Sequence, residues 1–211
     1  VDPAHDDPLS GARRFLPLGR DFFERDALRV ARDLVGAYLV VGRGKRARAV
    51  RIVETEAYRG PHDAACHARA GLTRRTRSLF GRPGQAYVFL VYGMHRCFNV
   101  VCMREGSGHA VLVRAGEPVL GIGEGIRTDG PGRVARALGV ELEDDGVDLT
   151  DGSVFIAARE GGVRIGRGPR VGVAYAGDIA ERPWRFYDSR SRHVSRPPKS
   201  AIGLGRPVLR R

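Results

Sequence analysis

Residues 46–58, RARAVRIVETEAY, constrain the fold of this 211-residue chain more than any other stretch. They read as a β-strand that follows a first strand, AYLVVG, across the glycine-rich turn GRGKR. Side chains on a strand alternate between its two faces. Val50, Ile52, Glu54, Glu56 and Tyr58 are therefore expected to share one face. That face runs from apolar to acidic to aromatic, as it would on a strand that leaves a core and enters the wall of a pocket.

The flanking segments supply the rest of a domain. DALRVARDLVG places Leu28, Ala31, Leu34 and Val35 at helical spacing, with Asp26 as N-cap and Gly36 as stop. QAYVFLV and RCFNVVCM read as a hairpin around YGMH, and HAVLVRAGEP as a third strand. GPGRVARALG predicts a short helix, with Pro131 in its first turn and Gly139 just past its end. Two later strands are expected, near SVFIAA and RVGVAYA. The stretch from Gly60 to Gly84 is loop-rich with one short helix. Residues 1–19 show no period and read as a flexible arm, 20–195 as one domain, and 196–211 as a basic, proline-rich tail.

The formal net charge is +12, which favours an anionic partner, either nucleic acid or an anionic membrane surface. No basic amphipathic helix stands out for the membrane role, and no apolar run is long enough to span a bilayer. Of the 36 basic residues only Lys45 and Lys199 are lysines, and guanidinium is the better group for bidentate phosphate contacts. Cys66, Cys97 and Cys102 are odd in number and fit no zinc spacing, so they read as reduced thiols of an intracellular protein.

Glu54 and Glu56 fit two descriptions equally well: a solvated strand edge, or a pocket wall with one structural acid and one general base. An acid inside an anion-attracting surface repels phosphate and is tolerated there only if it has a task. His67 has no second Cys/His pair at ligand spacing. It reads as a hydrogen-bonded structural histidine or as a donor to a ligand ring, with no metal expected. Tyr87 and Phe98 are expected in the core. Tyr92 precedes Gly93 at the hairpin tip, where an exposed aromatic on a basic surface can wedge between base steps. Phe89, an odd number of residues from Tyr92, should face elsewhere, toward the pocket. The run TRRTR, residues 73–77, is placed for phosphate contact. Gly121, Gly123 and Gly125 lack the strand–turn–helix frame of a nucleotide fold.

VETEAYRGPHDAACHARAG, RPGQAYVFLVYGMHRCFNV, VLVRAGEP and PRVGV, in that order, resemble the alkyladenine (3-methyladenine) DNA glycosylases. The resemblance runs from about Arg20 to about Ser195. It implies a single-domain mixed α/β (α+β) fold with a curved antiparallel sheet, flanking helices and a β-hairpin that enters the DNA minor groove. It implies Glu56 as general base, with Arg114 and the backbone of Val171 holding the attacking water. It implies a base pocket of Tyr58, His67, Phe89 and Asn99. Phe89 stands where many relatives carry a tyrosine, so stacking survives without the hydroxyl. Tyr92 would fill the gap in the duplex with Met94 beside it, and Thr73, Arg75 and Arg77 would touch phosphates. The implied partner is double-stranded DNA with damaged purines, bound by a monomer without cofactor. No lysine stands between Arg46 and Pro198, so strand nicking through a Schiff base is not expected. A non-catalytic binder of distorted duplexes would explain the charge and the aromatic tip but leaves Glu56 without a purpose. A metal-dependent nucleotide hydrolase using Glu54, Glu56 and His67 is the third reading.

Overall fold

The computed structural model describes residues 15–42 and 44–195. The remainder of the expected arm, residues 1–14, and the expected tail, 196–211, lie outside the described residues. Residues 15–19 run along the sheet: Leu18 N–H bonds the Ile156 carbonyl at 2.8 Å, and Phe15 packs edge-on against Tyr38 at 5.1 Å.

Among the described residues there are three helices, α1 (Arg20–Phe23), α2 (Ala27–Leu34) and α3 (Pro131–Leu138), with several 3-10 turns. Asp26 caps α2 as expected, its carboxylate accepting from Leu28 N–H at 2.9 Å. Gly36, at φ 93°, turns the chain just beyond it. The apolar face of α2 (Ala27, Val30, Ala31 and Leu34) is fully buried. Pro131 opens α3 and Gly139 closes it in a left-handed conformation.

Eight antiparallel strands form one curved half-barrel sheet: β1 (Tyr38–Val41), β2 (Arg48–Arg59), β3 (Ala86–Val91), β4 (His95–Cys102), β5 (His109–Leu120), β6 (Val154–Ala157), β7 (Ile165–Gly168) and β8 (Arg185–Asp188). The main path runs β3-β4-β5-β2-β1-β6. β2 is the fork. One edge pairs with β5 along its length, while the other pairs with β1 over Arg48–Arg51 and with β8 over Glu54–Glu56.

Three expectations need correction. Val50, Ile52, Glu54, Glu56 and Tyr58 do not share a face. Ile52 opposes Gly116 and Glu54 opposes Ala115, so Val53 is an extra residue on β2. Thr55 then opposes Val113, which makes Arg114 an extra residue on β5. Such bulges shift the side-chain alternation. Val50 and Ile52 join the core under α2, whereas beyond the bulge it is Thr55 and Ala57 that face that core. Thr55 Oγ1 donates to the Ala31 carbonyl at 2.7 Å. Glu54, Glu56 and Tyr58 thereby turn to the other side.

The second correction concerns RVGVAYA, which is not a strand. Its alternation is apolar enough, but Gly172 sits at φ 79° and Arg170 is drawn into a buried ion pair. Residues from Ala174 to Glu181 form 3-10 turns instead. The strands that take this place in the sheet are β7 and β8. Glycine is required at 166, because a Cβ there would lie 2.3 Å from the Tyr187 ring. The segment from Gly60 to Gly84 holds three short 3-10 turns, Gly60–His62, His67–Ala70 and Ser78–Phe80, rather than one helix.

Replacing Asp26 by alanine removes the α2 cap and the 3.0 Å ion pair with Arg59. A loss of about 1 kcal/mol is expected from the cap, read as a lower urea midpoint with unchanged m-value.

Candidate active site

The bulged end of β2 delivers two carboxylates to one place. Glu54 and Glu56 are both fully buried. Glu54 is tied on every side: Arg185 Nη1 donates to it at 2.9 Å, Ser195 N–H at 2.7 Å, and Arg114 Nε stands 3.4 Å away. Glu56 is held more loosely. Its Oε1 accepts from Val171 N–H at 2.8 Å and faces Arg114 Nη1 at 3.5 Å. Among the described residues, its Oε2 accepts only from the Tyr58 hydroxyl, at 3.0 Å. A carboxylate offers about four lone-pair sites, so Oε2 retains acceptor capacity. Burial pushes the Glu56 carboxyl above the ordinary glutamate range, with Arg114, Val171 N–H and Tyr58 opposing the shift and Glu54 adding to it.

In front of Glu56 lies an open cavity of about 1150 Å³. Tyr58, His67, Arg75, Phe89, Tyr92, Met94, Asn99, Arg114 and Val171 all line it. Glu56 does not. It lies one layer behind, touching three lining residues: Tyr58, Arg114 and Val171.

The aromatic end is pre-assembled. His67 Nδ1 shares a 2.9 Å hydrogen bond with the Tyr87 hydroxyl, and its ring meets Phe89 edge-on at 4.5 Å. Burial lowers the His67 pKa and the Arg75 charge lowers it further, so the imidazole is neutral at physiological pH. Asn99 is buried and donates to the Tyr87 carbonyl at 3.0 Å. Its side chain is thus fixed by β3 across the hairpin. Cys66 and Cys97 line the same cavity as free thiols, and burial raises each to about 11.

Tyr92 stands at the hairpin tip with 91% of its surface exposed, and Met94 is exposed beside it. Tyr92 and Gly93 both have positive φ, 51° and 71°, the pattern of a type I′ turn matched to the strand twist. Of the basic run, Arg75 lies on the cavity rim, its guanidinium 5.7 Å over Phe89 and donating to the Leu90 carbonyl at 3.3 Å. Thr73 bonds back to Thr76 within its own loop. Arg77 is exposed and lies outside the cavity wall.

The buried Asp63–Arg170 pair beside Glu56 is a feature that sequence patterning missed. Arg170 Nη1 and Nη2 reach both Asp63 oxygens at 2.6 and 2.8 Å, and neither side chain has exposed surface. The guanidinium also lies 4.6 Å over the Tyr58 ring and donates to the Ala57 carbonyl at 3.0 Å. Arg170 is the residue before Val171, so this pair sets the position of the amide that holds Glu56. The signal was present in PHDAA and PRVGV, but the partners are 107 residues apart.

The profile of the methylpurine-DNA glycosylase family matches residues 21–192. The chain belongs to that family. Proteins named "Putative 3-methyladenine DNA glycosylase" from Myxococcus xanthus, Methanocella arvoryzae and Legionella pneumophila (strain Lens) are 51%, 44% and 44% identical to it. The alignments cover 86%, 85% and 85% of this chain and 94%, 96% and 98% of theirs. As a member of this glycosylase family, the chain is a DNA-binding hydrolase of N-glycosyl bonds. Among the described residues, no group of three or more His, Cys, Asp or Glu side chains is placed to hold a metal ion. Among them also, no helix is long and apolar enough to cross a membrane.

Replacing Asp63 by alanine leaves the Arg170 charge buried and unpaired. A destabilisation of about 3–5 kcal/mol is expected, measured by urea unfolding, together with slower base release.

Proposed function

We propose that this glycosylase is monofunctional. It rotates alkylated or deaminated purines (the 3-methyladenine, 7-methylguanine, hypoxanthine and ethenoadenine class) out of duplex DNA. It then hydrolyses the N-glycosidic bond with water activated by Glu56, leaving an abasic site. The observation that carries this reading is the setting of Glu56: a carboxylate of raised pKa, held by Val171 N–H and Arg114, directly behind a cavity walled by Tyr58, His67 and Phe89.

A stacked base cannot be reached inside the duplex, and extruding it costs a few kcal/mol. Tyr92, exposed at the tip, fills the vacancy with Met94 in the minor groove, and contacts from Thr73, Arg75 and Arg77 to phosphates offset the cost. Between Tyr58 and Phe89, a purine made cationic by alkylation gains roughly 0.5–2 kcal/mol over a neutral one. With the Tyr87 hydroxyl donating to Nδ1, His67 presents Nε2–H to an acceptor on the ring. The buried Asn99 forms the wall that excludes normal guanine.

As the glycosidic bond breaks, the sugar gains oxocarbenium character. The Glu56 carboxylate stabilises that charge and takes a proton from the water that attacks C1′. Arg114 and the backbone of Val171 hold that water beside the carboxylate, in a geometry completed with substrate bound, as is common for catalytic groups of free enzymes. The chemistry uses no metal and no cofactor. With no lysine between Arg46 and Pro198, the reaction ends at the abasic site. One lesion needs one pocket, so the protein acts as a monomer, inside the cell, where DNA is.

Glu56→Gln is expected to lower single-turnover base release by about 10²–10⁴-fold while duplexes with a modified purine still bind. Unchanged release would remove Glu56 from the chemistry, and absence of release from the wild-type protein would leave only the reading of a non-catalytic binder of distorted DNA. Base release should also rise with pH through the Glu56 pKa, since only the ionised form is a base. Because burial raises that pKa, the acid limb of kcat/KM should lie above the ordinary glutamate value and vanish in Glu56→Gln. Excess chelator should leave the rate intact, and borohydride should trap no enzyme–DNA adduct.

A further inference from the structure

The cavity in front of Glu56 extends beyond a base-sized hollow. It is lined by successive residues on both hairpin strands, Phe89 and Leu90 on β3, Arg96 and Cys97 on β4. Neighbouring residues on a strand point to opposite faces, so the cavity reaches both faces of the hairpin. On the far face its wall is α3, from Gly130 through Arg133 to Arg136. This wall is fixed to the hairpin. Val134, Ala135 and Leu138 are buried in the core that holds Phe98 and Val100 of β4, and Gly132 abuts His95, where a Cβ would come within 3.0 Å.

Five arginines line the cavity, and four are committed to protein partners. Arg75 bonds the Leu90 carbonyl, Arg96 pairs with Glu141, Arg114 with Glu54 and Glu56, and Arg133 with Asp129. Arg136 is exposed, has no acidic or carbonyl partner among the described residues, and is carried on a rigid helix. We propose that Arg136 binds a backbone phosphate of the duplex, on the face of the β3–β4 hairpin away from Tyr58 and His67. The hairpin then enters DNA with a cation on each side, Arg75 on the pocket side and Arg136 on the other. The wedge residue Tyr92 is centred between two anchored backbones. For its ligand the inference rests on the glycosylase reading above.

The test is the salt dependence of binding to a short labelled duplex that carries a tetrahydrofuran abasic analogue, followed by fluorescence anisotropy. Each phosphate neutralised contributes about 0.9 to the slope of log K against log salt. Arg136→Gln should flatten that slope by about 0.9, and Arg136→Lys should retain it. Arg29→Gln, which removes an exposed charge from α2, should leave the slope unchanged. A wild-type slope in Arg136→Gln, or an equal flattening in Arg29→Gln, would overturn the proposal. A flattened slope in Arg136→Gln, with no release of modified purine by the wild-type protein, would instead overturn the glycosylase reading and leave this contact standing.

Discussion

The hydrogen bond from Val171 N–H to Glu56 is the point around which the site is built. A carboxylate with no exposed surface is unstable unless its charge is met by donors and cations. Here one amide, one hydroxyl and one guanidinium meet it, and each comes from a different part of the chain. Val171 lies on the loop after β7, Tyr58 two residues along β2, and Arg114 on the bulge of β5. The charge therefore acts as a junction that requires β2, β5 and the loop at 171 to be in place together. Glu54 plays the complementary part. Its bonds to Arg185 and Ser195 N–H fasten β8 and the following chain to the same spot. The two acids divide the labour, one as a fastener and one with acceptor capacity to spare.

Rigidity around Glu56 is layered outward from there. The Asp63–Arg170 pair supports Tyr58 from behind, and Trp184 lies 5.0 Å from the same guanidinium. Tyr87 fixes His67, and Asn99 is fixed in turn by the Tyr87 carbonyl. The groups that face a ligand are thus held by groups that do not, which keeps the cavity open without one. The hairpin tip differs. A tyrosine at positive φ with nearly all its surface in solvent has no packing to recommend it, and bulky residues seldom adopt this backbone conformation. Its conformation is set by the strand twist on either side and not by contacts of the ring.

Much of this was legible in the chain itself. Helical spacing around Leu28 and Leu34, the Pro131 and Gly139 boundaries of α3, and the alternating hairpin around YGMH all appear where local chemistry places them. That Tyr58, His67, Phe89 and Asn99 line one cavity was implied by the family resemblance and not by local pattern. What was not legible depends on distant partners. The extra residues at Val53 and Arg114 exist only as a relation between β2 and β5, and no local pattern announces them. RVGVAYA alternates as a strand should, yet Asp63 claims Arg170 and Gly172 bends the chain. β7 and β8 are four residues each, and β7 carries Gly166 because the Tyr187 ring occupies the space above it.

The bulge at Val53 also bears on how the molecule reaches its native state. Slide β2 by a single position along β5, and the acidic residues swing beneath α2, against Val30 and Leu34. Two carboxylates would then sit in hydrocarbon with neither Arg114 nor Arg185 to answer them, a misalignment dearer by several kcal/mol per charge. The groups that equip this strand for chemistry therefore also specify its register, since a mispaired chain is penalised by its own electrostatics.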